Sequence, residues 1–360
     1  MFLRYTREIL QVLVKPRKAI CRPLNLQLEI TTACNSKCQM CNHKETIKKP
    51  GQMSFSQFKK IIDEVSPLKL NLTGYGESFL NKDLFRMIRY AKSKRIRVNF
   101  ATNFTLAKDK ITETCDSKVD LIKISIDAAN KHTYRKIRGI DCFEEVIKNI
   151  KRINAFKVKH NLKYPVLRFN FALQKDNLEE INEVIRLANK LSIEAVYVQY
   201  LEFVNMEGKK KEIVGGIKSG YLRKKLEEAR ELSFGLKIKT NLEILLRDFD
   251  YYYNKMLPAK DFVDSKRICH FPWLTTYIEY NGDVRPCQMF VWKRKEGVLG
   301  NVFKDGFQKV WNNNNYLTFR QKTKKRLRPF TPCKSCIPQT YENIFYIYSK
   351  LLPGWSYWRK

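Results

Sequence analysis

The chain is poor in acid. Among 360 residues, 36 Asp and Glu stand against 69 Lys and Arg, a formal net charge of +33. Such an imbalance speaks to partners and is silent about fold. Polyanions, anionic membrane surfaces and phosphorylated substrates suit it; a lysine-favouring codon bias is the alternative source. Nucleic acid is not expected, because no nucleic-acid fold or motif accompanies the charge. No run of about 18 uncharged apolar residues occurs, which excludes a transmembrane helix. The opening "MFLRYTREILQVLVKPRKAICRP" carries charges within its apolar stretch and shows no small-residue cleavage site, so it does not read as a secretory signal. The expected location is the cytoplasm, with a peripheral position on the inner face of the membrane as a further option. Glycine is scarce, 14 residues, and no Gly/Ser-rich or Pro-rich linker divides the chain. No repeat with a period of 20–50 residues is found. Hydrophobic residues, at 44%, suffice for one large domain or two ordinary ones.

What recurs is strand followed by helix. The strands are expected at Leu26–Ile30, Leu68–Thr73, Arg97–Thr102, Leu121–Asp127, Val166–Leu173 and Glu194–Leu201. Between them fall amphipathic helices, among them Ser54–Val65 with Ser54 as cap, and Phe143–Phe156. Six such units imply an α/β fold with a parallel sheet, open or rolled into a barrel. Chemistry in such folds collects at the carboxyl ends of strands. Those ends hold a cysteine cluster, "GYGES" (Gly74–Ser78), Asn103, Ser125 with Asp127, and Gln199 with Tyr200. Beyond about residue 205 the alternation stops. Helices at Ser219–Leu232 and Leu242–Tyr253 lead to two short strands around Asn281-Gly282, a strong hairpin signal.

Ten cysteines in a reducing compartment point to metal or catalysis rather than disulfides. Cys34, Cys38 and Cys41 lie on one loop, with spacers of three and two residues, and can share one metal centre. One option is a tetrahedral zinc with His43 as fourth ligand. The other is a 4Fe–4S cluster on three thiolates, with one iron left open for a small molecule. A second set comprises Cys269, Cys287 and the pair Cys333 and Cys336; such a CxxC serves redox, zinc or iron–sulfur chemistry. Cys115 and Cys142 read as core residues and Cys21 as incidental. His132, His160 and His270 are weak as ligand candidates.

"CNSKCQMC" followed by "TGYGESFLN" resembles the radical S-adenosylmethionine (radical SAM) superfamily. The first matches its CxxxCxΦC motif, with Met40 at Φ; the second resembles its GGEP motif, with Tyr75 and Ser78 in place of a Gly and the Pro. "SIDAANKHTYRKIRGIDCFEEVIKNI" resembles the subgroup with a C-terminal SPASM or twitch domain. The resemblance implies a partial (β/α)6 barrel over 24–205 and a small α+β auxiliary-cluster domain over 261–340. An amphipathic segment (1–23), a helical connector (206–260) and an aromatic, basic tail (341–360) complete the chain.

By this resemblance Cys34, Cys38 and Cys41 hold a catalytic 4Fe–4S cluster whose open iron takes SAM. One electron then cleaves SAM to methionine and a 5′-deoxyadenosyl radical, which takes hydrogen from substrate. Gly76 and Glu77 fall where the SAM ammonium is held. Asn103 and Ser125 fall where ribose or carboxylate contacts are made; Arg138 is a further carboxylate candidate, and Met40 packs on adenine or on its own loop. Cys269, Cys287, Cys333 and Cys336 resemble the ligands of one auxiliary 4Fe–4S cluster, with structural zinc as the rival. Asp127 and Tyr134 are candidates on the substrate side. The implied partners are a one-electron reductant such as flavodoxin or ferredoxin and a substrate that is a small molecule, a lipid or glycan, or a peptide. An activating enzyme for a partner protein and a non-catalytic iron–sulfur or zinc scaffold are the alternatives. The N-terminal segment and the C-terminal tail resemble interfacial membrane helices in composition.

Overall fold

A computed structural model describes residues 10–200, 212–256, 268–292, 294, 296–334 and 336. The expected C-terminal tail and the first nine residues lie outside this range. Six parallel strands run in sequence order: β1 (Asn25–Leu28), β2 (Lys69–Leu72), β3 (Arg97–Thr102), β4 (Leu121–Ser125), β5 (Val166–Leu173) and β6 (Ala195–Tyr200). Each crosses to the next through helical structure. Sequential order with right-handed crossovers puts every helix on one side of the sheet.

The strand sequences fit that arrangement. Leu26, Leu28, Leu70, Leu72, Val98, Phe100, Ile122, Ile124, Leu167, Phe169 and Phe171 are all fully buried. The residues between them, Gln27, Asn71, Asn99, Lys123, Arg168 and Asn170, are polar and face the other way. One face is therefore the core, and the second is a polar surface leading up to the strand ends. Helix entry follows local rules. Ser54 Oγ accepts from the Gln57 N–H at 3.3 Å, while the Ser54 N–H donates to Gln57 Oε1 at 2.9 Å, a capping box that starts Phe55–Val65.

The anticipated hairpin forms, as β8 (Thr275–Ile278) and β9 (Asp283–Arg285), but it is not set apart. β8 pairs in parallel with β1, in register Leu26 to Thr276 and Leu28 to Ile278. A short β7 (Lys239–Thr240) and β10 (Gly300–Asn301) complete a sheet of ten strands, in order β10-β9-β8-β1-β2-β3-β4-β5-β6-β7. β8, from the segment expected to form the auxiliary domain, thus extends the sheet of the first six strands. The expected helix at Leu242–Tyr253 is broken at Asp248 into Leu242–Arg247 and Phe249–Met256.

The start of the described chain docks on the C-terminal half. Gln11 Nε2 donates to the Trp273 carbonyl at 2.8 Å, and Gln11 Oε1 accepts from the N–H groups of Ile20 and Cys21. Leu10, Leu13, Val14 and Ile20 are left exposed. Among the described residues no helix is long and apolar enough to cross a membrane.

Candidate functional site: two sets of thiols

The upstream cysteine loop leaves β1 and is fastened on three sides. Lys37 and Gln39 donate their backbone N–H groups to the carbonyls of Arg138 and Ile137, at 3.2 and 2.9 Å. These carbonyls end the helix Lys131–Arg138, which Asn130 caps at its start and the left-handed Gly139 (φ +68) closes. Asn103, at the end of β3, donates to Asn35 Oδ1 at 2.7 Å and to Ser36 Oγ at 2.8 Å. The Glu77 N–H donates to the Ala33 carbonyl at 2.8 Å.

The turn Gly74–Ser78 lies directly under this loop. A Cβ on Gly76 would stand 2.4 Å from the Thr31 carbonyl oxygen and 2.7 Å from that of Ala33. Both obstacles are backbone, so only glycine fits. Gly76→Ala is expected to destabilise the fold by about 1–3 kcal/mol, as overpacking does, and to lower iron retention on the upstream loop. Gly220→Ala, where nothing lies within 4 Å, is the control. Thermal melting and iron per chain read the difference.

Glu77 and Asn103 are fully engaged within the protein. Glu77 Oε1 accepts from Thr102 Oγ1 at 2.6 Å and from the Phe79 N–H at 3.1 Å; Oε2 accepts from the Asn103 N–H at 2.6 Å. Burial nonetheless pushes its carboxyl above the ordinary range. Both residues fasten the turn and the cysteine loop to the strand ends. Met40 packs against the main core. Ser125 ends β4 beside Asn170, on the polar face.

Arg138 is the cation of the site. It is 8% exposed, and its Nη1 donates to Asp127 Oδ2 at 2.8 Å. Asp127 is held in turn: its Oδ1 accepts from the Ala172 N–H at 2.7 Å. Asp127 therefore serves as the anchor of Arg138. Arg138 Nε is buried with no hydrogen-bond partner in the described structure, as is the Tyr134 hydroxyl. An unused guanidinium N–H is costly, and it marks a place where an acceptor belongs. Arg138 lies within electrostatic range of Cys34, Cys38 and Cys41. Burial pushes the thiols up, Cys41 to about 12, while Arg138 pulls all three down. His43 is used elsewhere: its Nε2 sits 2.6 Å from the Thr32 carbonyl oxygen. The helix carrying Tyr134 and Arg138 is too short for a clear periodic signal, although Asn130 and Gly139 are readable cap signals.

The downstream set converges as well. Cys269, Cys287, Cys333 and Cys336 line one cavity with apolar walls, including Phe271 and Phe290. Burial raises the Cys287 thiol most, and the other three cysteines raise it further. Among the described residues no trio of His, Cys, Asp or Glu forms a single-ion site. Both sets fit iron–sulfur loading on donor chemistry, being all soft sulfur, and the downstream four share one apolar cavity. Cys115 is buried and Cys142 packs against the core, as expected of filler residues.

Two sets of thiols, one after β1 and one flanking β8 and β9, thus sit on a single ten-stranded α/β sheet. Residues 28–188 match the Radical SAM superfamily, and residues 269–337 match SPASM, an iron–sulfur cluster-binding domain. The chain carries a radical SAM domain followed by a SPASM domain, so its cofactors are a 4Fe–4S cluster, SAM and additional iron–sulfur. It is 32% identical over 185 residues to the AdoMet-dependent heme synthase of Methanosarcina barkeri, covering 50% of this chain and 51% of that protein. It thus spans about half the length of that relative. It is 24% identical over 328 residues to a tungsten-containing aldehyde ferredoxin oxidoreductase cofactor-modifying protein of Pyrococcus furiosus, covering 86% of each. In fold it matches Streptococcus suis SuiB bound to the precursor peptide SuiA, with a TM-score of 0.67 and 16% identity, over 93% of this chain and 75% of that one.

Proposed function

We propose that the chain is a radical SAM enzyme that takes a hydrogen atom from an unactivated position of its substrate. The carrying observation is that the loop holding Cys34, Cys38 and Cys41 is fastened to the end of the helix that carries Arg138, whose buried Nε has no partner among the described residues. Cys34, Cys38 and Cys41 would hold the 4Fe–4S cluster that binds SAM; Cys269, Cys287, Cys333 and Cys336 would saturate one auxiliary 4Fe–4S cluster. When bound and reduced by an external one-electron donor, the upstream cluster would supply one electron to the sulfonium of SAM, giving methionine and a 5′-deoxyadenosyl radical.

The chain's own residues supply position and charge. Arg138 offsets thiolate charge and offers its Nε to a carboxylate, as a guanidinium does well. Asp127 keeps that guanidinium aimed. Gly76 lets the turn approach the cysteine loop, and Glu77 and Asn103 hold that approach fixed. Ser125, Asn170 and the polar face below them would meet the substrate. Tyr134 lies within range of Cys38 and Arg138, where a phenol can donate to a bound acceptor. The test is formation of 5′-deoxyadenosine by the reduced protein, with deuterium transfer into it from labelled candidate substrates. No 5′-deoxyadenosine from a protein with both clusters loaded favours the scaffold alternative.

A peptide substrate is the second reading. It is favoured by the fold shared with a peptide-bound enzyme over most of this chain. A flavodoxin or ferredoxin would provide the electron.

We also propose a peripheral place on anionic membrane. Exposed Leu13, Val14 and Ile20 stand beside exposed Arg17, Lys18 and Arg22, the pairing of apolar and basic groups that binds charged bilayers. The protein is expected to sediment with anionic vesicles and to be released by salt, since screening acts over about 10 Å at 0.1 M. Leu13→Ser with Ile20→Ser should weaken this binding severalfold. Equal sedimentation with neutral vesicles and no salt effect would contradict it.

A further inference from the structure

Between the two thiol sets lies a buried charge network that no part of the proposed chemistry uses. It starts at Glu29, just after β1, which is fully buried. Glu29 sits against the SAM-side turn: a Cβ on Gly74 would lie 2.4 Å from its side chain. Glu29 Oε2 accepts from the Tyr75 N–H at 2.9 Å and from the Tyr277 hydroxyl at 3.0 Å. Arg294 Nη2 donates to both Glu29 oxygens, at 2.7 and 2.5 Å. Its Nη1 donates to Glu279 at 3.1 Å, and its guanidinium lies 5.0 Å from the centre of the Tyr75 ring. Arg285 closes the network through Glu279 and through the backbone carbonyl of Arg294, at 2.6 Å. Two carboxylates thus face two guanidiniums, so no charge is left without an opposite.

One end of this network packs against the upstream cysteine loop, and the other lies in the chain segment that carries Cys287. Arg285 stands two positions before Cys287, and Arg294 follows in the same segment. At the other end, the Tyr75 hydroxyl donates to Asn42 Oδ1 at 2.7 Å, and Asn42 follows Cys41. Tyr75, Tyr277 and Val291 form a small apolar cluster against which Cys41 packs. Tyr75 therefore contacts the upstream cysteine loop, the end of β1 and the downstream segment together. In a low-dielectric site such a network has few alternative arrangements, so a shift at one end moves the other.

We infer that Arg294 is a positioning residue for the SAM-side turn, through Glu29 and Tyr75, so that the downstream iron–sulfur site sets the affinity of the upstream site for SAM. This rests on the radical SAM reading above. The coupling is reciprocal: SAM binding upstream also steadies the downstream segment.

The test uses the full, anaerobically loaded chain. SAM is titrated against the electron paramagnetic resonance signal of the reduced upstream cluster, and iron per chain is measured in each variant. Arg294→Gln should keep its iron yet bind SAM at least tenfold more weakly. Arg294→Lys, which keeps charge but loses the two-oxygen grip, should fall between. Tyr75→Phe loses the hydroxyl's bonds to Asn42 and Thr46 on the cysteine-loop side and keeps the ring packing, so it should weaken SAM binding severalfold even if Arg294→Gln does not fold. Replacing the four downstream cysteines should weaken SAM binding in the same direction, and adding Arg294→Gln to that background should add little. Wild-type affinity in folded, loaded Arg294→Gln, or in Tyr75→Phe if the former does not fold, overturns the inference. Absence of any SAM-dependent signal in the wild-type protein would instead overturn the reading beneath it.

Discussion

Replacing Cys34, Cys38 and Cys41 together by alanine is expected to abolish 5′-deoxyadenosine formation while halving bound iron. The wild-type chain should carry about eight irons, four per cubane, and the triple variant about four. The physical reason is the separation of the two sets. The upstream thiols lie on a loop tied to Arg138, Asn103 and Glu77, while the downstream four line their own cavity. Losing one set leaves the ligands of the other intact. Anaerobic iron and sulfide assays, with circular dichroism as a check on folding, read the outcome. Zinc in the C-terminal half of wild-type protein, with only about four irons, would remove the auxiliary cluster from this account.

The second large effect is expected downstream. Replacing Cys269, Cys287, Cys333 and Cys336 should stop product formation while 5′-deoxyadenosine still accumulates at saturating SAM. Four thiolates saturate a cubane and leave it no open iron, which suits it to passing electrons. SAM has no place to bind there. At low SAM the same variant should be slower still, because the network through Arg294 loses its footing. Normal product yield without these cysteines would reduce the SPASM half to a cover over the barrel.

Much of this was legible in the amino-acid order. Strands β3 and β5 lie where alternation puts them, because one sheet face is apolar and the other polar. Ser54 announced its helix through the Gln57 partner three residues on. The cysteine spacing and, through the resemblance, Gly76 are readable in the sequence, whereas the close backbone approach that admits only glycine at 76 is seen only in the fold. Other features depend on contacts remote in sequence. Nothing local says that β8 will pair in parallel with β1, nor that Glu29 will meet Arg294, 265 residues away. The resemblance puts Glu77 and Asn103 where SAM is contacted, whereas their side-chain bonds to Thr102, Asn35 and Ser36 are visible only in the fold. Arg138 was marked by family resemblance; its anchor, Asp127, is visible only once the helix Lys131–Arg138 folds back over the strand ends.

The most direct measurement is a single anaerobic turnover of the wild-type protein, loaded with iron and sulfide, reduced by dithionite and given SAM. The account predicts 5′-deoxyadenosine and methionine in equal amounts, and neither from the Cys34, Cys38 and Cys41 variant. Equal yields from both proteins, or intact SAM in the presence of a fully reduced upstream cluster, would contradict it.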